Sequence, residues 1–160
     1  MSVWVRRAAT DDAPALTELA RRAKSHWGYP PDWIDLWTDE LTITPAYLAE
    51  HTAFVAAENG APIGMCVLEQ RADGGAIENV WISPDHHRQG VGRALVMRAL
   101  REAATAGLPI VRVVSDPFAE GFYARLGAER CGQVSAPMPG APDRKLPVLV
   151  FAVAPEQPSS

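Results

Sequence analysis

Residues Ser83 to Leu95, SPDHHRQGVGRAL, constrain this chain more than any other stretch. The β-branched and aromatic run Val80-Trp81-Ile82 reads as a strand, and Pro84 stops it. A loop then carries Arg88-Gln89-Gly90-Val91-Gly92-Arg93, and an apolar helical pattern follows. Strand, glycine-containing turn and helix N-terminus together make an anion site. Successive backbone N–H groups point outward, the helix dipole adds positive potential, and the glycines let a ligand approach the backbone. The ligand this pattern predicts is a pyrophosphate.

Rival glycine motifs fit less well. Leu95 stands where a dinucleotide fingerprint wants a third small residue. No acidic ribose ligand follows about 20 residues on in a second strand. The Gly-Lys-Ser/Thr of a P-loop is absent. A plain strand-to-helix turn with two glycines is the bland alternative, and a second motif weighs against it.

That motif is Asp116-Pro117-Phe118-Ala119-Glu120-Gly121-Phe122-Tyr123-Ala124-Arg125-Leu126-Gly127-Ala128. Ser115 or Asp116 reads as a helix N-cap, Pro117 as the first helical residue and Glu120 as the capping-box position. Arg125 in the last turn and Gly127 after it read as a helix stop. The apolar run Ile110-Val111-Arg112-Val113-Val114 leads in as a strand. Taken alone, Phe122-Tyr123 would be a core aromatic pair on an amphipathic helix.

Together the two motifs resemble those of the GNAT N-acetyltransferases. The first is similar to that family's acetyl-coenzyme A signature, Arg/Gln-x-x-Gly-x-Gly/Ala. The second is similar to Asn-x-x-Ala-x-x-Phe/Leu-Tyr-x-x-x-Gly-Phe. Three departures are visible. His87 stands where the family usually has Arg or Gln, Asp116 replaces the Asn, and Ala128 replaces the last Phe. The resemblance spans about residues 3 to 153, strongest over 76 to 128. Lys24-Ser25-His26-Trp27-Gly28-Tyr29 resembles a subset of bacterial members of unassigned substrate.

The resemblance implies an α/β fold: a central mixed sheet of about seven strands with helices on both faces. It implies acetyl-CoA as cosubstrate, bound by Arg88, Gln89, Gly90, Val91, Gly92 and Arg93. Asp116 and Tyr123 would face the coenzyme. The fourth and fifth strands would splay, and main-chain groups at Val80, Trp81 and Ile82 would pair with the pantetheine arm. A bulge there would aim an N–H at the thioester oxygen.

Element order agrees. Val3 to Arg7 alternates as a first strand. Thr10-Asp11-Asp12 caps a helix with Leu16, Leu19, Ala20 and Ala23 on one face. Pro30-Pro31 breaks it, a second helix runs from about Asp32 to Leu41, and Thr44-Pro45 opens a short third. Ala53 to Glu58 and Ile63 to Gln70 are strands joined by Asn59-Gly60, a strong hairpin signal. Asp73-Gly74-Gly75 turns into the strand ending at Ile82. A helix from Gln89 to about Ala106, the strand at 110–114 and the helix of the second motif follow. Glu129 to Val134 is a strand, Ser135 to Lys145 a loop, and Val148 to Val153 the last strand. The expected organisation is one domain over 1–154 and a disordered tail at 155–160.

Composition excludes several classes. Charged residues make up 21% and hydrophobic residues 48% of the 160, so the chain can fold around a core. A chain of this length buries roughly 70% of its unfolded surface as one domain. A net charge of −4 argues against a nucleic-acid surface. Leu146 to Ala154, the longest apolar run, is too short to span a membrane, and Met1-Ser2-Val3-Trp4 is no signal peptide. Cys66 and Cys131 form no CxxC and read as reduced thiols. His86 and His87 are adjacent and lack distant partners at ligand spacing, so no metal is expected. His87 reads instead as a polar loop residue near phosphate. A cytoplasmic protein is expected, and a homodimer is compatible with it.

Acetyl transfer needs a neutral amine. At pH 7 a lysine-like amine is neutral on the order of one part in a few thousand. A base is therefore useful, and the departing thiolate needs an acid. Tyr123 is the candidate acid and Glu78, in the strand ahead of the pyrophosphate turn, the candidate base. A glutamate there is more often solvated or salt-bridged. For the acceptor, Trp27, Tyr29, Trp33 and Trp37 cluster with Asp32, Asp35, Asp39 and Glu40. An aromatic, acidic wall would suit a cationic amine. Trp33 and Trp37, four apart, read as packing residues, while Trp27 and Tyr29 are the acceptor-binding candidates. The expected function is N-acetylation of a primary amine on a small-molecule or amino-acid-like acceptor. Acetylation of a protein N-terminus or lysine, and a non-catalytic acyl-CoA sensor, are the alternatives.

Overall fold

The computed structural model describes residues 3–154, and the expected tail lies outside them. Its strands are β1 (Val3–Arg7), β2 (Thr52–Glu58), β3 (Ala61–Arg71), β4 (Gly74–Ile82), β5 (Ile110–Val114), β6 (Glu129–Ser135) and β7 (Lys145–Ala152). They form one seven-stranded sheet in the order β1-β2-β3-β4-β5-β7-β6. The sheet is mixed: β4 and β5 are parallel, whereas β1–β2, β2–β3, β5–β7 and β6–β7 are antiparallel. The helices are α1 (Ala13–Ser25), α2 (Pro31–Leu36), α3 (Thr38–Leu41), α4 (Pro45–Glu50), α5 (Val91–Thr105) and α6 (Glu120–Arg125). The expected α/β class and strand count are therefore met. The fold divides into two units. One holds the chain up to Leu68 and Asn79–Ala99; the other holds Glu69–Glu78 and the chain from Leu100 on.

In the first unit, β2 and β3 read as near-continuous apolar runs because both of their faces are covered. Their register pairs Ala53 with Val67 and Val55 with Met65. These four side chains are buried with Ala13, Leu16 and Leu19 of α1 and Leu48 of α4. The α1 residues recur at helical spacing, so one stripe of the helix faces the sheet. The intervening residues pair Phe54 with Cys66 and Ala56 with Gly64, on the opposite face. There Arg98 of α5 lies 4.8 Å from the Phe54 ring centroid. The Asn59-Gly60 turn joining the strands has φ of 52° and 82°, the paired left-handed residues of a tight hairpin.

Gly64 sets how closely α5 can approach. A Cβ at this position would stand 2.9 Å from Leu95 Cδ1, 3.0 Å from Val91 Cγ1 and 3.1 Å from Ile82 Cδ1. A side chain here would have to displace the ends of these three side chains. Burial on this face also pushes the Cys66 thiol up to about 12, so it stays protonated and inert.

In the second unit, β5 alternates with Val111 and Val113 buried and Arg112 exposed. Val111 pairs with Phe151 and Val113 with Leu149 of β7, which are buried on the same face. β7 begins at Lys145 rather than at the expected Val148. Pro147 reads as a breaker in sequence because it lacks a donor. The strand accommodates it because the ladder needs only its carbonyl, which accepts from Ser115 N at 2.9 Å.

A second difference lies at Trp37. The expected helix from Asp32 to Leu41 is two short helices, α2 and α3, with Trp37 between them at φ −87°, ψ 7°. Ile34, Trp37 and Leu41 still bury one face at i, i+3, i+7. At the start of α1, Asp12 does not cap the helix with its side chain. Its carboxylate accepts from Ala9 N at 2.7 Å and binds Arg6 through two bonds of 2.8 and 2.9 Å. The Arg6 guanidinium, chiefly by these hydrogen bonds, holds the Asp12 carboxyl below its ordinary value.

Gly64→Val should destabilise the protein by about 1–3 kcal/mol through overpacking. Gly64→Ala should cost less, because its nearest contact is the end of the Leu95 side chain. Urea unfolding at pH 7 measures both, and a neutral Gly64→Val would show that α5 does not depend on this contact. Asp12→Asn should cost about 1 kcal/mol at pH 7, since Arg6 is partly exposed. A depressed carboxyl pKa contributes stability above the unfolded value near 4 and loses it as pH falls through the folded value. The variant and the wild type should therefore converge in the same unfolding measurement as pH falls through the folded value.

Candidate active site

The turn before α5 is built by fixing its two ends. At the end of β4, Ser83 is buried and its N–H donates to Ile63 O at 2.8 Å. One 3₁₀ turn follows at Pro84–His86. Arg88 and Gly90 then adopt left-handed backbone, φ 64° and 81°. The first helical bond of α5 runs from Ala94 N to Gly90 O at 3.0 Å. The N–H groups of Gly90, Val91, Gly92 and Arg93 thus precede the helical ladder. Val91 and Gly92 are buried and anchor the turn, whereas Arg88, Gln89, Gly90 and Arg93 are exposed. The Gln89 amide donates to Asp85 O at 3.4 Å.

The two adjacent histidines turn to different partners. His86 Nε2 lies 3.4 Å from Glu58 Oε1. The His87 ring stacks on Trp27 at 5.7 Å and 26° and meets His26 edge-on at 5.0 Å. Its ring thus sits among aromatic partners. Among the described residues no three His, Cys, Asp or Glu side chains gather as a metal site would require.

β4 contains a residue that sequence alternation does not foresee. Asn79 lies inside the strand at φ 52°. Asparagine is among the few non-glycine residues that enter this region at modest cost. Two hydrogen bonds hold it: Asn79 Nδ2 donates to Tyr47 Oη at 3.0 Å, and Trp81 Nε1 donates to Asn79 Oδ1 at 3.1 Å. The parallel ladder of β4 with β5 covers Gly75 to Ile77. Val80, Trp81 and Ile82 follow the left-handed residue and are half-buried. A lone Asn among β-branched and aromatic residues was the available signal. Tyr47, its partner, carries none.

Glu78 belongs to the second unit. Its Oε1 is 3.2 Å from Arg71 Nη2, which is also 3.3 Å from Glu69 Oε1. Burial, with repulsion from Glu69, raises the Glu78 carboxyl above its ordinary value, and Arg71 partly offsets that rise. It is therefore both salt-bridged, as the bland reading holds, and more basic than a solvated glutamate.

Tyr123 also lies in the second unit and is 5% exposed. The helix start differs from expectation: Pro117–Ala119 is a 3₁₀ turn and α6 begins at Glu120. Asp116 caps it as expected, its Oδ1 accepting from Phe118 N at 3.0 Å. At the other end, Ala128 N donates to Tyr123 O at 3.1 Å and Gly127 N to Ala124 O at 3.0 Å. With Gly127 at φ 107°, this is the paired bonding of a Schellman stop. Tyr123 thus has its own carbonyl tied into the helix end, and its ring meets Phe122 at 5.0 Å.

The aromatic wall in the first unit already has a cation in it. Lys24, half-buried in the last turn of α1, places Nζ 4.3 Å from the Trp37 centroid, 4.8 Å from Tyr29 and 5.9 Å from Trp81. Tyr29 stacks on Trp33 at 5.7 Å and meets Trp37 edge-on at 5.1 Å. The wall as folded is therefore occupied by a cation of the chain's own. Trp27 stands apart from it, on His87.

The model of the acetyltransferase (GNAT) family matches residues 13–128, which include the turn before α5 and Tyr123. Mycothiol acetyltransferase of Clavibacter michiganensis is 34% identical over 80 residues, covering 50% of this chain and 26% of that protein. The match thus reaches well under half of that relative's length. A PaiA N-acetyltransferase of Thermoplasma acidophilum, solved with coenzyme A, superposes at a TM-score of 0.77 and 16% identity, over 95% of this chain and 99% of that one. A Brucella melitensis GNAT acetyltransferase solved with acetyl-CoA gives 0.68 and 18%, over 98% and 92%. At such identities these likenesses speak for the fold. The family model runs through both motifs and most of the chain, so the protein belongs to the GNAT acetyltransferase family.

Proposed function

We propose that the chain is an acetyl-CoA-dependent N-acetyltransferase that acts on a primary amine of a small or amino-acid-like acceptor. The observation that carries this reading is the turn before α5. Four N–H groups precede the helical ladder there, between exposed Arg88 and Arg93. Pyrophosphate suits such a turn, because backbone donors and helix dipole act together on negative charge. The residues present fit the coenzyme. Arg88, Gln89, Gly90 and Arg93 would hold phosphate, on the anchors Val91 and Gly92. Asp116 would line the coenzyme from the cap of the 3₁₀ turn ahead of α6. The family match across 13–128 draws on both units, which supports reading 1–154 as one catalytic domain.

The thioester supplies an activated acetyl group. In this reading the main chain of Val80, Trp81 and Ile82 pairs with the pantetheine arm, and the break at Asn79 turns an N–H toward the thioester oxygen. Glu78 takes a proton from the acceptor ammonium, directly or through water. A carboxyl raised above its ordinary value is better suited to that task than a solvated one. Tyr123 gives a proton to the departing thiolate. No helix among the described residues is long and apolar enough to cross a membrane. With that, the reading places the enzyme in the cytoplasm.

Arg93→Glu tests the anion turn without disturbing it. An acidic side chain in the first helical turn is favoured by the dipole, so the fold should hold. The same charge repels phosphate, and CoA affinity should fall tenfold or more in a calorimetric titration. Unchanged affinity would remove the basis of the assignment. Tyr123→Phe keeps the ring and its packing. Loss of a general acid should lower kcat by about 10²-fold with little change in CoA affinity. A kcat within about threefold of wild type, with chemistry rate-limiting, would make Tyr123 a packing residue.

A further inference from the structure

We infer that Asn79 and Tyr47 are positioning residues for acetyl transfer: together they lock the left-handed break in β4 from which the proposed function aims an N–H at the thioester oxygen. The inference rests on the acetyltransferase reading and names what holds its donor in place. Its starting point is where the break lies. Among the described residues, three other than glycine have positive φ: Asn59, Asn79 and Arg88. Asn59 opens a hairpin turn and Arg88 lies in the exposed turn before α5, where the chain has to bend. Asn79 sits inside a strand, where extended backbone is the default, and no turn requires its φ of 52°. Backbone held against its preference persists only where the surroundings over-determine it, and such positions gather at functional sites.

Two side-chain bonds over-determine this one. An indole N–H can only donate, so Trp81 Nε1, 3.1 Å away, meets the amide oxygen Oδ1 of Asn79. That fixes the orientation of the amide and leaves Nδ2 to donate to Tyr47 Oη at 3.0 Å. Both outer rings are packed against the same apolar cluster, which contains Leu16, Leu19, Val55 and Met65. Tyr47 reaches it from α4, with the His51 ring 4.7 Å from its own, and Trp81 reaches it from β4. The amide is thus gripped between two aromatic side chains on one support, and it cannot swing without breaking a bond at one end. In a regular strand successive N–H groups alternate between the two neighbours. A left-handed residue breaks that alternation and re-aims the peptide beside it. The ladder of β4 with β5 covers Gly75 to Ile77, so the break falls where the segment assigned to the pantetheine arm begins. In the reaction the amine nitrogen adds to the thioester carbon and the carbonyl electron pair moves onto oxygen. That pair returns as the C–S bond breaks and the thiolate leaves. A donor held rigidly at the oxygen stabilises the charge without rearranging as it develops.

The experiment observes the thioester carbonyl itself, by isotope-edited infrared difference spectroscopy of labelled acetyl-CoA on the full chain, beside a calorimetric titration with CoA. In the wild type the bound carbonyl band should lie at lower frequency than that of acetyl-CoA in buffer. Asn79→Ala removes both side-chain bonds and disfavours left-handed backbone, so it should abolish the shift. Asn79→Gly loses the bonds but permits the conformation, and should recover part of the shift. Tyr47→Phe keeps the ring on its cluster and should reduce the shift. CoA carries no acetyl oxygen, and its affinity for all three variants should stay within about threefold of wild type. An unshifted band in wild-type protein that binds acetyl-CoA would overturn the inference and leave the coenzyme reading standing. A shift that survives in folded Asn79→Ala would also overturn it. So would a loss of CoA affinity in parallel with the shift, which would make the break a support for the fold. Should Asn79→Ala fail to fold, an unchanged band in Tyr47→Phe overturns the inference by itself. Failure of the wild type to bind either acetyl-CoA or CoA would remove both the inference and the acetyltransferase reading.

Discussion

The close approach of α5 to β3 at Gly64 is the contact on which the glycine turn before α5 depends. A helix N-terminus binds an anion well only if its donors are held still. Val91 and Leu95 seat against a bare backbone position, and Ile82 closes the same gap from the end of β4. Strand end and helix start are thus fixed to one point, and the loop from Ser83 to Gly90 has to bridge them. Left-handed backbone at Arg88 and Gly90 follows from that short span. The exposed, charged part of the turn is rigid because its two buried residues, Val91 and Gly92, are not free to move.

A comparable economy governs β4. One asparagine in left-handed conformation interrupts the strand, and its side chain is bonded on both sides, to Tyr47 and to Trp81. The same Trp81 ring forms one wall around Lys24. Backbone geometry and the electrostatics of the aromatic wall are therefore coupled through a single indole. Tyr47 lies on α4 and packs against the apolar cluster beneath α1, so the hydrophobic core of this unit supports the polar chain above it. Glu78, one residue earlier in the strand, is shaped by a different neighbourhood, the Arg71 and Glu69 side chains of β3.

Much of the fold was legible because its signals are local. The stripe of Leu16, Leu19, Ala20 and Ala23, the Asn59-Gly60 hairpin, the Asp116 cap and the Gly127 stop each depend on residues within a few positions of one another. Where local chemistry misled, a longer-range partner had intervened. Pro147 looks like a breaker until the Ser115 N–H finds its carbonyl. Asp12 looks like a cap until Arg6, from β1, claims its carboxylate. Trp37 divides an otherwise continuous helix and still buries its ring on the same face as Ile34 and Leu41.

By itself the sequence determined the family, the element order and the glycine turn before α5. All three are written in short runs whose spacing is set by backbone geometry: a strand stop, a glycine turn, a capped helix. Only the tertiary structure decided the character of the aromatic wall. Trp27, Tyr29, Trp33 and Trp37 are neighbours in sequence, and aromatic rings beside acidic residues suggest a site for a cation. The lysine that fills the wall comes from the preceding helix, and the fourth ring comes from a strand more than forty residues on. The box thus closes on a cation of the chain's own. Its position depends on how a helix, two short turns and a strand pack together, which no spacing along the chain encodes.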